Sequence, residues 1–181
     1  MVCRRVITQP PAVSFYAYKR AGGRGGFCDC TSLTQAPVIP NSVTDMGFCF
    51  YGCTSLTQAP VIPSSVESMW ACFFGCKNLT QAPVIPSSVE SMRECFYGCK
   101  KITQAPVIPN SVTNMYECFR GCTSLTTVTL KCSYNYSYDA FAFYGCTNLS
   151  AGSIKVPAGQ LQTYKDNASN MGAQSNWFVA E

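Results

Sequence analysis

The feature that most constrains this chain is a repeat of 23 residues. The phrase LTQAPVIP begins at Leu33, Leu56 and Leu79, and it returns as ITQAPVIP at Ile102. A fixed period of about 20–50 residues is typical of solenoids, in which each unit buries its apolar face against its neighbours. The same spacing separates five cysteines and five phenylalanines: Cys30, Cys53, Cys76, Cys99 and Cys122, and Phe27, Phe50, Phe73, Phe96 and Phe119.

The repeat predicts how the chain is divided. Four full units are followed by a degenerate one, because Cys122 and Cys146 are 24 residues apart and Phe143 continues the phenylalanine column. We therefore expect a poorly defined cap or flexible segment over residues 1–26, a solenoid over 27–149 and a C-terminal cap over 150–181.

Each unit reads as a short strand followed by a turn. In the unit that begins at Cys53, Ala59 and Val61 alternate with other residues and are expected to face the core from one side of a strand. Pro60 and Pro63 lack a backbone N–H, so this strand can pair over only a few residues.

A short helix is expected after the turn. Ser64 followed by Glu67 resembles a capping box, and Ser87 with Glu90 repeats it in the next unit. Gly75 is a plausible stop. The fold class predicted is a repeat solenoid that resembles leucine-rich repeats, a right-handed stack of short parallel β-strands with short helical or 3-10 segments on the convex side.

The repeated unit F-x-G-C-x-x-L-T-x-A-P-x-I-P-x-S-V-x-x-M resembles the BspA-like leucine-rich repeat family over Phe27 to Leu149. The tail, from Ile154 to Trp177, also looks like that family's closing strand and helix. The resemblance implies a bacterial interaction or adhesion protein, secreted or on the cell surface, and it names no ligand. Two departures stand out, which are Pro60 inside the strand and a cysteine column where the family has a small apolar residue.

Most of the thirteen cysteines fall in two columns, which leave three interpretations open. Both columns can face inward as small hydrophobes, form disulfides within or between rungs, or hold metal ions as thiolates. The candidate ligands are Cys49, Cys53, Cys72, Cys76, Cys95, Cys99, Cys118 and Cys122. Cys30 and Cys146 extend the second column, whereas Cys3, Cys28 and Cys132 lie outside the columns and are expected to be more exposed.

No enzyme activity and no cofactor are expected. The chain contains no histidine, which removes the commonest general base. The glycine-rich stretch Gly22–Gly26 lacks the Lys-Ser/Thr of a phosphate-binding loop. Glu94 and Glu117 share a column and could form a close carboxylate pair, but a solvated face explains them as well.

Charge and hydropathy narrow the partner classes. The net charge is +4, and five basic residues precede Asp29, the first acidic one. This basic segment is compatible with contact to nucleic acid or an anionic surface. A solvated cap or a poorly ordered end also explains it, and on that interpretation no nucleic-acid partner is expected. No apolar run is long enough for a membrane span, and no signal peptide is recognisable in this sequence.

Candidate interaction residues occupy positions that vary between units. Glycine, tryptophan, arginine and tyrosine follow one another at positions 47, 70, 93 and 116, and the columns at positions 48 and 51 vary in a similar way. These residues flank core positions, so we expect them to point outward, where Trp, Tyr and Arg commonly anchor interfaces. The candidates are Trp70, Arg93, Tyr116, Tyr51, Phe74, Tyr97 and Arg120.

A second candidate face is invariant. If the strand alternates, Gln58, Pro60 and Ile62 point away from the core and form ladders of identical residues. The alternative is that the strand twists at Pro60 and buries Ile62. The polar candidates on this face are Gln58, Gln81 and Gln104.

Two functions follow from these observations. The first is a binding module that engages a protein or glycan partner through a stacked repeat face. The second is a structural protein that self-associates end to end or laterally as a fibre. The polar C-terminal tail looks like the cap that repeat arrays need for solubility, which favours the binding module.

Overall fold

The computed structural model describes residues 26–181, which form a stack of rungs closed by a C-terminal unit. Four short parallel strands lie side by side in the order β1-β2-β3-β4. The strands are β1 (Gln104–Ile108), β2 (Thr127–Leu130), β3 (Ile154–Val156) and β4 (Phe178–Ala180). Within residues 26–181 the helices are α1 (Leu161–Asp166) and two 3-10 helices, Ala158–Gln160 and Ser175–Trp177. The predicted fold class, a leucine-rich-repeat-like solenoid, is confirmed.

The strand side of the earlier rungs pairs only at isolated points. Gln58 bridges to Gln35 on one side and to Gln81 on the other, both in parallel. Even β1 shifts register between Gln104 and Val107. A proline lies in each of these segments and cannot donate to a ladder. The prediction that pairing extends over only a few residues is therefore confirmed.

The helix predicted after Ser64 is wrong, because this segment consists of consecutive turns. The backbone N–H groups of Met69, Ala71 and Phe73 donate to carbonyls of the next rung at 2.8–2.9 Å. The N–H groups of Cys72 and Cys76 instead close turns within the rung, to the carbonyls of Met69 and Phe73, at 3.1 Å. Donors that bond between rungs cannot also form the i→i−4 bonds of a helix.

The capping pairs are likewise not formed. The backbone N–H of Glu67 donates to the carbonyl of Thr44 at 2.8 Å, and Ser65 Oγ donates to the carbonyl of Val43 at 2.7 Å. Both bonds reach the preceding rung. Glu67 and Glu90 are exposed, so a capping role does not explain them.

Each turn region contains two left-handed residues. Gly75 has φ +70° and represents a column that is glycine in most rungs. Ala71 has φ +49° and represents a column in which none of the described residues is glycine. L-residues adopt this conformation at a cost, so the stack holds one strained residue per rung. The non-glycine column consists of Phe48, Ala71, Glu94, Glu117 and Phe141.

Apolar columns fill the interior. The phenylalanine rings from Phe27 to Phe119 stack on one another at a centroid spacing of 5.5 Å, and Phe143 continues the column at 5.9 Å. Leucine, methionine, valine, isoleucine and cysteine columns surround them and are buried. No unit could bury these faces alone, so stacking and core formation are one process.

The strand does not alternate as expected. Ile62 is 6% exposed and Val61 is 88% exposed, while Pro60 and Ile62 are both buried. The expectation that Val61 faces the core is wrong, and the alternative, burial of Ile62, is confirmed. Pro60 and Pro63, three residues apart, hold the segment out of a regular β conformation, which breaks the two-residue period.

The C-terminal unit covers the last rungs. Tyr164 of α1 is fully buried and donates a hydrogen bond to the carbonyl of Cys132 at 3.1 Å. Cys132 is therefore buried, and the expectation that it is exposed is wrong; Cys28 is half-buried. The predictions about residues 1–25, including Cys3, the basic stretch and the glycine-rich joint, lie outside the described residues.

Candidate interaction surfaces

Two outward surfaces can be distinguished by what they display. The first, which we call the turn-side face, carries two ladders of aromatic and arginine side chains. Its residues are Phe48, Tyr51, Trp70, Phe74, Arg93, Tyr97, Tyr116, Arg120, Phe141 and Tyr144. It includes all seven of the aromatic and arginine candidates predicted from the sequence.

One ladder contains the column that begins at Tyr51. The rings of Tyr51 and Phe74 stack at 4.7 Å, and those of Phe74 and Tyr97 stack at 4.4 Å. The guanidinium of Arg120 then lies over Tyr97 at 5.7 Å and over Tyr144 at 4.9 Å. Each rung thus contributes one flat group to a continuous stack, in which arginine takes the place of a ring through cation–π contacts.

The second ladder runs beside the first. Phe48 meets Trp70 edge-to-face at 4.7 Å, and Arg93 lies 5.7 Å from the centre of Trp70 and 4.9 Å from that of Tyr116. Tyr116 meets Phe141 edge-to-face at 6.4 Å. Ring contacts of 5.7 Å between Phe48 and Tyr51 and of 6.2 Å between Phe141 and Tyr144 join the ladders at both ends.

Both arginines are ion-paired as well as stacked. Arg93 Nε lies 2.9 Å from Glu94, and Arg120 Nη1 lies 2.5 Å from Glu117. The hydrogen bond that Arg120 donates to the Glu117 carboxylate raises the pKa of Arg120 above its ordinary value. Glu94 and Glu117, the two glutamates that share a column, each contact an arginine. The charges of these four side chains cancel.

The rings of this face are partly covered by their neighbours. Trp70 is 43% exposed, and the other ring candidates are half-buried because their faces are covered by neighbours in the stack. Ala71, which shares a column with Phe48, is fully buried, so the expectation that this whole column points outward is wrong for that residue.

Sequence reasoning missed the aromatic residues of the fifth unit. Phe141 and Tyr144 extend the two ladders, and Tyr136 and Tyr138 are exposed near them in the chain. The extra residue between Cys122 and Cys146 shifts the register by one, which hides these positions from a count of 23. A count of 24 from Glu117 and Arg120 reaches them.

The second surface, which we call the strand-side stripe, is invariant. It consists of Val38, Val61, Val84 and Val107, flanked by Gln35, Gln58, Gln81 and Gln104. The first three valines are 92%, 88% and 87% exposed, and Val107 is 54% exposed. The glutamines are exposed as well, which agrees with the predicted outward direction of Gln58, Gln81 and Gln104.

A shallow groove continues the stripe at its C-terminal end. It is lined by Val107, Pro109, Asn110, Lys131, Pro157 and Glu181. Lys131 and Glu181 form an ion pair. The stripe is therefore uncharged along its rungs and ends at a neutralised pair.

The two cysteine columns face inward, as the first of the three interpretations predicts. The eight candidate thiols are unbridged and at most 1% exposed. Cys76 Sγ donates to the carbonyl of Phe50 at 3.1 Å, and the same bond recurs from Cys53, Cys99, Cys122 and Cys146 to the equivalent phenylalanine. Burial raises the pKa of Cys76 to about 12. The thiols therefore stay protonated donors to carbonyls, which does not suit thiolate chemistry.

Metal-binding and membrane-spanning features are missing from the described part of the chain. Within residues 26–181, no group of three or more Cys, Asp or Glu side chains is placed to hold a metal ion. No helix in this range is long and apolar enough to cross a bilayer.

Solved structures of bacterial leucine-rich repeat proteins resemble this chain. One from Bacteroides ovatus is 29% identical with a TM-score of 0.57, over 74% of this chain and 34% of that one. A leucine rich cell surface protein from Faecalibacterium prausnitzii is 25% identical with a TM-score of 0.59, over 70% and 33%. The T. pallidum leucine-rich repeat protein, 22% identical with a TM-score of 0.58 over 87% and 77%, is similar in fold.

The chain spans about one third of the length of the first two proteins. No curated protein sequence matches it. A family model described as the BspA type leucine rich repeat region matches residues 47–170 in six copies. The repeat, the fold and this match agree, and the chain belongs to the BspA-type leucine-rich repeat family.

Proposed function

We propose that this chain is a non-enzymatic module that binds a protein partner through the turn-side face. Members of its family are typically surface protein-interaction modules. The observation that carries the proposal is the pair of ladders, in which each rung offers a different side chain in a fixed position. A secreted or cell-surface location on a bacterium, and a role in adhesion, are part of the proposal; the F. prausnitzii relative is itself described as a cell surface protein.

Stacking makes this face ready to bind. Association normally costs free energy because interface side chains lose rotamer freedom, about 0.5–1.5 kcal/mol for each flexible one. On the turn-side face, Trp70 and Tyr116 hold Arg93 between them, and Arg93 is also tied to Glu94. These groups are ordered before a partner arrives, so less freedom is lost on binding.

The geometry favours a protein over a glycan. Sugars pack on aromatic side chains through open ring faces, whereas Phe74 has both faces covered, by Tyr51 and by Tyr97. Where rings stack face to face in this way, a partner reaches their edges and the tyrosine hydroxyls rather than their faces. Edge-to-face ring contacts and hydrogen bonds of this kind suit a protein surface.

The proposal is tested with the full chain under reducing conditions. We would screen it against a panel of purified extracellular proteins and against a glycan array. Saturable binding to a protein is expected. Trp70→Ala combined with Tyr116→Ala should weaken that binding at least about tenfold, because each removes a central, rigid anchor.

The matched control is Val61→Lys combined with Val84→Lys, which changes the opposite surface and should leave partner binding intact. Thermal unfolding of each variant confirms that it is folded. Binding to glycans alone, or protein binding that survives the Trp70 and Tyr116 substitutions and is lost in the control, would contradict the proposal.

A further inference from the structure

We propose that the strand-side stripe is an interface between two copies of this chain. The copies would be related by a two-fold axis between the second and third rungs. The stripes then run antiparallel, with Val38 opposite Val107 and Val61 opposite Val84. This assignment concerns a different surface from the proposed partner site and does not depend on it.

The stripe exposes apolar side chains that the fold does not use. In each of its rungs the neighbouring isoleucine is at most 6% exposed, whereas the valines of the first three rungs are at least 87% exposed. A lone exposed valine needs no explanation, but a row of them in one column makes a continuous apolar surface. Contiguous surfaces of this kind mark interaction sites on folded proteins.

Periodicity points to a second copy as the occupant. Adjacent rungs of a parallel stack are about 4.8 Å apart, so the valines stand at nearly equal intervals along a line. A partner must present apolar groups at the same spacing to contact all of them. A second copy of this chain has that spacing by construction, and a two-fold axis places all four valines of one stripe against the four of the other.

The absence of charged residues from the segments that carry the stripe also favours a second copy as the partner. The chain has a net charge of +4, so two copies repel each other when charged surfaces approach. The four segments LTQAPVIP or ITQAPVIP that carry the stripe contain no charged residue at all. Copies can therefore approach here without like-charge repulsion. The glutamines beside the valines offer both donors and acceptors, so one copy's amides can bond to the other's.

The size of the stripe predicts a weak dimer. Four rungs cover only about 15 Å of length. The buried area therefore falls below the roughly 800 Å² per partner of a standard stable interface. We expect association to depend on concentration, in the range where sedimentation velocity resolves exchange between monomer and dimer.

The test is sedimentation velocity of the full chain, with reductant to exclude disulfide dimers, over a wide concentration range. The wild-type chain should shift from monomer to dimer as the concentration rises. Val61→Lys combined with Val84→Lys should weaken dimerisation at least tenfold, because four added charges meet at the centre of the interface.

The control is Thr54→Lys combined with Thr123→Lys. These substitutions add the same charge away from the stripe, in a column that already contains Lys77 and Lys100. The control variant should therefore dimerise nearly as the wild type does. A wild-type chain that stays monomeric at every concentration, or a valine variant that dimerises as strongly as the control, would overturn the proposal.

A photo-crosslinking residue in place of Val38 tests the antiparallel arrangement. The expected product joins position 38 to the peptide that contains Val107 of the other copy. Crosslinks between the two positions 38, or from position 38 to the turn-side face, would refute the two-fold arrangement.

Discussion

The two outward surfaces of this solenoid differ in how they vary from rung to rung. The turn-side face presents glycine, tryptophan, arginine and tyrosine at successive positions of one column. The strand-side stripe presents valine four times. A surface that differs at every rung can be matched by a partner in only one register, so it suits a specific partner. A surface that repeats matches itself, so it suits a second copy.

The backbone differs between the two sides as well. On the turn side, alternate N–H groups donate to the next rung, as from Phe50 to Cys72 and from Phe73 to Cys95, at 2.8 and 2.9 Å. On the strand side, the early rungs have single bridges at Gln35, Gln58 and Gln81. Rung coupling therefore depends on the turn side, and the strand side is free to display side chains.

Core substitution on the turn side should have the largest effect. Phe73→Ala removes a fully buried ring from the middle of the phenylalanine stack and should lower the free energy of unfolding by about 3–5 kcal/mol. Val61→Ala, in the same unit but on the stripe, should change it by less than about 0.5 kcal/mol. Chemical denaturation measures both. Equal losses of unfolding free energy in the two variants would contradict the distinction between a turn side that couples the rungs and a strand side that only displays side chains.

Asp139 makes the C-terminal end of the turn side sensitive to pH. Burial raises its pKa from 3.8 to about 6, although Asn135 donates its backbone N–H to the carboxylate at 2.6 Å. At a pH between these two values, the folded state therefore keeps a proton on Asp139 that the unfolded state has released. The free energy of unfolding should fall as pH rises through this window, by at most about 3 kcal/mol.

Asp139→Asn should remove this pH-dependent contribution. The comparison is the difference between wild-type and variant unfolding free energies, measured by denaturation from pH 4 to pH 8. A difference that does not change with pH would show that Asp139 does not titrate in this window.

Substitution in the glycine column of the turns should have a smaller effect on stability. Gly75 has φ +70°, and a Cβ built there meets nothing within 4 Å. Gly75→Ala therefore isolates the conformational cost of a left-handed L-residue and should destabilise by about 1–2 kcal/mol. Thermal or chemical unfolding measures it. An unchanged stability would mean that the turn relaxes around the new side chain, which would contradict a backbone fixed by hydrogen bonds between rungs.

The reverse change should give the smallest effect. Asp29 has φ +57° at a position where later rungs have glycine, as at Gly52. Asp29→Gly should stabilise the fold by about 0.5 kcal/mol, because glycine adopts a positive φ without a steric penalty. The gain is small, because aspartate tolerates this conformation better than most residues and glycine loses more conformational freedom on folding. A loss of stability in the same unfolding assay would contradict this reasoning.

Much of the fold follows from the repeat, but the conformation within a rung does not. The phenylalanine column headed by Phe27 was expected inside, because a repeat unit can bury its apolar face only against its neighbours, and the family resemblance leads to the same arrangement. The Ser64–Glu67 helix signal is local, and it is overridden by hydrogen bonds between rungs, which no local signal contains. Val61 and Ile62 exchanged roles because Pro60 disrupts the alternation on which their assignment depended.

The candidate surfaces were partly predictable for the same reason. Trp70, Arg93 and Tyr116 could be recognised as outward because they flank core residues. Their stacking across rungs could be inferred only once the rungs had a geometry. The valine stripe was missed because the sequence did not show which face of the strand points away from the core, and Val61 was expected to face inward.

Oxidative footprinting of side chains tests the central claim most directly. The full chain would be labelled when dilute, when dilute and saturated with a protein identified in the panel, and when concentrated. We predict that the protein protects the aromatic residues of the turn-side face, among them Trp70, Tyr97 and Tyr116, and leaves the stripe accessible. We predict that concentration protects the four valines of the stripe and leaves the turn-side face accessible. Protection of the valines by the partner, or of the aromatic ladders by concentration, would contradict the division of the two surfaces.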